Sequence, residues 1–311
     1  MNILVTGGAG YIGSVLVPIL LKNKYNVTVL DNFLFNQNSI QNLNKTSNLE
    51  IINGDVRDKS KVKELISKAD LIIPLAALVG APLCDKYPKE AKEVNLDSIS
   101  FLNSQLSKDQ KIILPVSNSG YGIGTPGEFC TEESPLNPIS LYGRTKVESE
   151  SIIMNRENSV SFRLATVFGM SPRMRIDLLV NYFVNKAITD KKIEIFEGNF
   201  KRNYVHIKDV AEVFNFTIKN FNKMKSNTFN FGLENANFSK IELAEKIKHH
   251  VENFEIIISE NGSDPDKRDY IVSNKKILQT GYIFKEDLDS GIIELLSALP
   301  NLSKDKSYSN V

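Results

Sequence analysis

Thr6-Gly7-Gly8-Ala9-Gly10-Tyr11-Ile12-Gly13 follows a short apolar, β-branched run at residues 1–6 and leads into residues 11–21, whose apolar side chains recur at helical spacing. That order predicts a strand, a tight glycine turn and a helix. Glycines in this turn let backbone approach a pyrophosphate closely, while the amides and positive dipole end of the helix face the same anion. Eighteen residues past Gly13, Asp31 closes the next strand, where a carboxylate accepts both ribose hydroxyls. Its charge opposes a 2′-phosphate, and Asn32-Phe33-Leu34-Phe35 supplies no cation to offset it, so NAD is expected over NADP.

Outward from the turn, apolar strands are expected at residues 27–30, 49–52, 71–75, 111–116 and 160–164, separated by helical patterns at 59–67, 89–106 and 141–154. Strands apolar throughout are buried on both faces, which implies an α/β fold with a Rossmann-type doubly wound parallel sheet. After Gly169 the rhythm loosens. A helix at 176–188 and strands at 193–196 and 203–206 start a smaller C-terminal substrate lobe, whereas a helix at 208–221 and a strand at 228–231 return to the sheet. The expected division is a NAD-binding domain of residues 1–170 with 207–235, and a substrate lobe of 171–206 and 236–300 closed by a helix at 288–299. Residues 301–311 are polar and read as a frayed tail. Asp55, after the third strand, has two readings: a partner for the adenine amino group, or a turn or capping acid ahead of a helix from about Asp58.

At 311 residues, 41% hydrophobic and 24% charged, the chain has the balance of an ordinary globular protein. Lys and Arg number 38 against 37 Asp and Glu, so no electrostatic footprint favours nucleic acid or an anionic membrane. The apolar run at 15–21 contains Pro18 and is far shorter than the roughly 20 residues of a bilayer helix. It follows glycines rather than a basic leader, and a cytoplasmic protein is expected. Cys84 and Cys130 form no CxxC pair, so neither a disulfide framework nor a metal site is expected.

Tyr142-Gly143-Arg144-Thr145-Lys146 places a phenol and an ammonium at i and i+4 on one helix face. A phenol with an ordinary pKa near 10 needs about three units of depression, roughly 4 kcal/mol, to work as a base near neutrality. A neighbouring lysine and the positive nicotinamide ring are the charges that would supply it. Ser117, at the carboxyl end of the fifth strand, stands at the sheet edge where ligands collect, and its hydroxyl can relay a proton toward Tyr142. His206, His249 and His250 are the only histidines and no G-x-S-x-G elbow is present, so no hydrolase set competes. His206 is expected to be structural.

These motifs, together with Leu75-Ala-Ala77, Gly120-Tyr121-Gly122 and Arg202-Asn-Tyr-Val-His206, resemble the extended short-chain dehydrogenase/reductases, and more narrowly the NAD-dependent nucleotide-sugar epimerases and dehydratases, over residues 1 to about 300. The resemblance implies cofactor contacts from Gly7, Gly10, Tyr11, Ile12, Gly13, Asp31, Asn32, Asp55, Val56, Leu75, Ala76, Ala77, Tyr142 and Lys146. Catalysis would fall to Ser117, Tyr142 and Lys146, acting on a ring hydroxyl, usually at C4. Asn95 would be the family's structural asparagine. Substrate contacts are expected from Cys84, Asn118, Ser119, Thr166, Arg175, Arg202 and Arg268, with Arg202 and Arg268 on the diphosphate and Arg173 a further cation at the lobe boundary. Dehydratases carry Asp-Glu where Asn118-Ser119 stand here, so dehydration is disfavoured. The stretches 75–84, 117–122 and 264–269 are most similar to bacterial enzymes that oxidise C4 of a GDP-manno-heptose for surface polysaccharides. A 4-epimerase and a non-catalytic NAD sensor are the alternatives, and a homodimer built on helices 89–106 and 141–154 is implied.

Overall fold

A computed structural model describes residues 1–36, 39–43, 46–259, 268–302 and 308–310. Seven parallel strands form the main sheet: β1 (Asn2–Thr6), β2 (Asn26–Asp31), β3 (Leu49–Asn53), β4 (Leu71–Pro74), β5 (Lys111–Ser117), β6 (Ser159–Leu164) and β7 (Asn227–Phe231). Their order across the sheet is β7-β6-β5-β4-β1-β2-β3. The chain order therefore reverses between β1 and β4, the position at which doubly wound sheets bind ligands beyond their carboxyl ends. Apolar strands need cover on both faces. One face is packed by Leu16, Val17 and Leu20 of helix Gly13–Lys22 with Val210, Val213 and Phe214 of helix Ile207–Lys219. The other is packed by Val62, Leu65 and Ile66 of helix Lys59–Ser67, Ile99 and Leu102 of helix Ser98–Gln105, and Ile153 of helix Leu141–Met154.

A second apolar cluster lies beyond Phe168. Phe183 and Val184 of helix Leu179–Thr189, Leu243 and Ile247 of helix Lys240–Lys248, and Ile292 and Leu295 of helix Leu288–Ala298 converge there on Tyr204. Strand Lys201–His206 pairs in parallel with Thr166–Phe168 and antiparallel with Asn237–Ser239, forming a small sheet beside the main one. His206 sits at its end with Nε2 2.9 Å from a Glu294 carboxylate oxygen and Nδ1 accepting from the Lys208 amide, the structural role expected of it.

Two elements differ from the sequence expectation. The helical pattern at 89–106 is not one α-helix, because Glu93–Asp97 forms a π turn between Pro88–Lys92 and Ser98–Gln105. The expected fraying of 301–311 does not hold for Tyr308 and Asn310. Tyr308 packs on the second cluster and its carbonyl accepts from the Ile176 amide at 2.8 Å, while Asn310 Oδ1 accepts from Arg173.

Candidate active site

The carboxyl ends of β1 to β5 open into a cavity of about 510 Å³, within the range of small-molecule and cofactor sites. At its floor the glycine turn crosses from β1 toward β4. Gly7 has φ +71°, and a Cβ there would stand 2.5 Å from the Ala76 amide nitrogen, so only glycine lets the two loops touch. Gly7, Gly10, Tyr11, Ile12 and Gly13 line this part of the wall, with Asp31 and Asn32 from β2, Asp55 and Val56 beyond β3, and Leu75, Ala76 and Ala77 beyond β4. The Asp31 carboxylate accepts from the Ala9 amide at 2.9 Å and the Phe33 amide at 2.8 Å, which orients it toward the cavity; burial pushes its carboxyl above the ordinary value.

Asp55 takes the turn role expected of it, its carboxylate accepting from the Arg57 amide at 2.9 Å, but it is not the helix cap. Capping of helix Lys59–Ser67 falls to Asp58, and hydrogen bonding from the Arg57 guanidinium holds the Asp55 carboxyl down to about 2. Asp55 still lines the cavity, with its carboxylate already bonded by Arg57 and Asn32.

Ser117 ends β5 and Tyr142 and Lys146 face it from helix Leu141–Met154, all three on the cavity wall. Ser140 caps that helix by accepting from the Gly143 amide at 3.1 Å. A Cβ at Gly143 would meet Pro138 Cβ at 2.9 Å and the Ser119 carbonyl at 3.1 Å, so glycine here sets how closely the helix approaches β5. Ser117 Oγ accepts from the Ser119 amide, and the Ser117 hydroxyl lies close enough to the Tyr142 phenol to favour its ionised form. The phenol is nevertheless not depressed in this protein. Burial pushes it up to about 12, and the charges that oppose this are Arg268 and Arg175. Burial also pushes the Lys146 ammonium down to about 8. Burial disfavours both charges, and the expected lowering of Tyr142 by Lys146 is not found; the charges that lower it come from Arg268 and Arg175.

The loop after β4 is pinned by Asn95: its Oδ1 accepts from the Leu78 amide at 2.8 Å and its Nδ2 donates to the Leu78 carbonyl at 2.9 Å. Its own carbonyl accepts from Ser149 of helix Leu141–Met154 at 2.7 Å, so one residue in the π turn ties that loop to the helix carrying Tyr142.

Thr166, Arg175, Arg202 and Arg268 also line the cavity. Arg175 pairs with Asp177, both side chains nearly buried. Cys84, Asn118 and Ser119 do not line it. Cys84 is buried, with Sγ donating to the Leu78 carbonyl and its thiol pushed up to about 11 by burial. The 3₁₀ turn Asn118–Tyr121 winds Asn118 and Ser119 inward, where their polar side-chain atoms have no hydrogen-bond partner. Sequence reading missed Phe35, Asp177, Tyr182, Lys240, Tyr270 and Asn310, which also line the cavity. Only Asp177, two residues from Arg175, carried a local signal. Of the stretch 264–269, residues 264–267 lie outside the described residues.

A bare-backbone turn, a carboxylate at the end of the next strand and a Tyr-x-x-x-Lys helix beside a strand-end serine fit a dinucleotide, and on a doubly wound sheet they define the short-chain dehydrogenase/reductase class. The chain belongs to the NAD dependent epimerase/dehydratase family, whose model matches residues 3–232. It is 29% identical to a provisionally named UDP-glucose 4-epimerase of Methanocaldococcus jannaschii, over 96% of this chain and 98% of that one. It is 28% identical to the UDP-glucose 4-epimerase of Lactobacillus helveticus, over 86% and 87%. The solved structure of UDP-glucose 4-epimerase with UDP-glucose from Thermotoga maritima shares the fold, with a TM-score of 0.83 at 24% identity over 97% of this chain and 99% of that one.

Proposed function

We propose that the protein oxidises the C4 hydroxyl of a nucleoside-diphosphate sugar, with Tyr142 removing the hydroxyl proton. The observation that carries this reading is the convergence of Ser117, Tyr142 and Lys146 on the same cavity as the glycine turn and Asp31. NAD, when bound, supplies the hydride acceptor and a positive charge. Ser117, beside the phenol, relays the proton, Tyr142 receives it, and Lys146, an ammonium below about pH 8, faces the same space. Arg202 and Arg268 hold the sugar's diphosphate, and Thr166 meets the sugar.

Within this reading we favour net dehydrogenation of a GDP-manno-heptose in surface polysaccharide synthesis, on the sequence stretches 75–84, 117–122 and 264–269. The names of the relatives support a second reading, a 4-epimerase that returns the hydride to the opposite face. Incubation with UDP-, dTDP- and GDP-sugars, heptoses included, separates them: accumulating NADH and a 4-keto sugar identify the dehydrogenase, and a C4 isomer without net reduction identifies the epimerase. No change in any sugar nucleotide would contradict both.

A further inference from the structure

Arg173 is a buried cation with a place in the cavity that the reaction has not used. It is 3% exposed and lines the main cavity, and with Ala9, Gly10 and Asp31 it also lines a small recess beside the glycine turn. Its backbone is fastened to that turn: the Arg173 amide donates to Ser14 Oγ and Ser171 Oγ, and Ser171 Oγ donates to the Tyr11 carbonyl at 2.8 Å. Its guanidinium stacks 4.2 Å over the Phe35 ring and donates to Asn310 Oδ1. Among the described residues no carboxylate pairs with it, unlike Arg163 and Arg175, which have Glu150 and Asp177. Burial lowers its pKa only to about 10, so it stays charged at neutrality. Asp31 and Asp177 act on it only at longer range than a direct ion pair, and a buried guanidinium so weakly compensated fits an anionic ligand.

We infer that Arg173 binds the diphosphate of the dinucleotide and that Asn310 is a positioning residue for it, so the segment 308–310 completes the cofactor site. This inference rests on the dinucleotide reading of the cavity. The ligand is a diphosphate, available from either the cofactor or the sugar nucleotide. The neighbours Ala9, Gly10 and Asp31 assign it to the cofactor, because the amides of the turn and the helix behind it face the same anion. Phe35 holds the guanidinium plane from one side and Asn310 fixes one of its nitrogens, which leaves the remaining donors of the fork for phosphate oxygens. Tyr308, packed on the smaller lobe, anchors the segment that brings Asn310 there.

The test is calorimetric titration of the full chain, freed of resident nucleotide, with NAD, ADP and adenosine. Arg173→Leu should weaken NAD and ADP by about 10- to 100-fold and leave adenosine unchanged, the range expected for charged hydrogen bonds. Asn310→Ala should weaken NAD and ADP several-fold with the same indifference to adenosine, and Asn310→Asp, which pairs the guanidinium internally, should weaken them more. Asn310 is half-buried in a surface segment, so these two variants report even if Arg173→Leu does not fold. Equal losses for adenosine and ADP would mean a merely structural role and would overturn the inference. So would unchanged NAD affinity with weakened sugar-nucleotide binding. Wild-type protein that binds none of the three would overturn the dinucleotide reading itself.

Discussion

Tyr142 and Lys146 are displaced from their ordinary pKa values in opposite directions by the same cause, burial. A phenol so raised is protonated near neutrality, and the base role proposed for Tyr142 requires positive charge beside it. Because the deprotonated phenol is the reactive form, kcat/KM for sugar oxidation should rise with pH through neutrality and level off near pH 8, where Lys146 loses its charge. Steady-state rates between about pH 6 and about pH 9 test this, and a flat profile would contradict it. The spacing of Tyr142 and Lys146 was readable in the sequence, but the sign of the phenol's shift was not, because desolvation depends on everything packed around it. Asp31 is simpler. Two backbone amides orient its carboxylate, and Asp31→Ala should weaken NAD by about tenfold or more while leaving sugar-nucleotide affinity nearly unchanged, measured by titration of each ligand.

Helix Leu141–Met154, which carries Tyr142 and Lys146, is held to the sheet by a buried ion pair. Glu150 accepts from Arg163 of β6 at 2.6 Å and from Ser161 at 3.0 Å, and Arg163 donates onward to the Tyr121 hydroxyl at 3.0 Å. Removing one member leaves the other charge buried and unpaired, so Glu150→Ala should cost about 3–5 kcal/mol of stability. Denaturant titration measures that loss; a change within experimental error would show that the pair does not fasten the helix. The helix's limits at 141 and 154 followed from its apolar spacing, as did most strands. The π turn at Glu93–Asp97 did not, since hydrophobic periodicity is nearly indifferent to one widened turn. Its reason is tertiary: Asn95 must reach Leu78 with its side chain and Ser149 with its carbonyl.

The doubly wound parallel sheet and the return of a strand near 228–231 to it could be anticipated from strand composition and the glycine turn; the order of the strands came from the structure. What stayed hidden were contacts of long sequence separation. Arg173 lies 142 residues from Asp31 and 137 from Asn310, and neither proximity leaves a local pattern. Cys84, Asn118 and Ser119 were placed on the substrate wall from sequence, yet the turn after β5 and the packing of helix Ala81–Lys86 carry them inside. Helices at 88–105 and Leu141–Met154 lie side by side, and we propose that they form the face of a homodimer. Sedimentation at twice the chain mass is the expected result, and monomer mass at micromolar concentration would contradict it. The chemistry is tested most directly with sugar nucleotides carrying deuterium at C4, the GDP-heptose and UDP-glucose among them, followed by mass analysis of the bound nicotinamide. Wild-type protein should move the label from a productive sugar to the nicotinamide ring, and Tyr142→Phe should bind the cofactor and move none. Label that stays on every sugar in the wild-type protein, or transfer that survives in Tyr142→Phe, would contradict oxidation at C4 by this tyrosine.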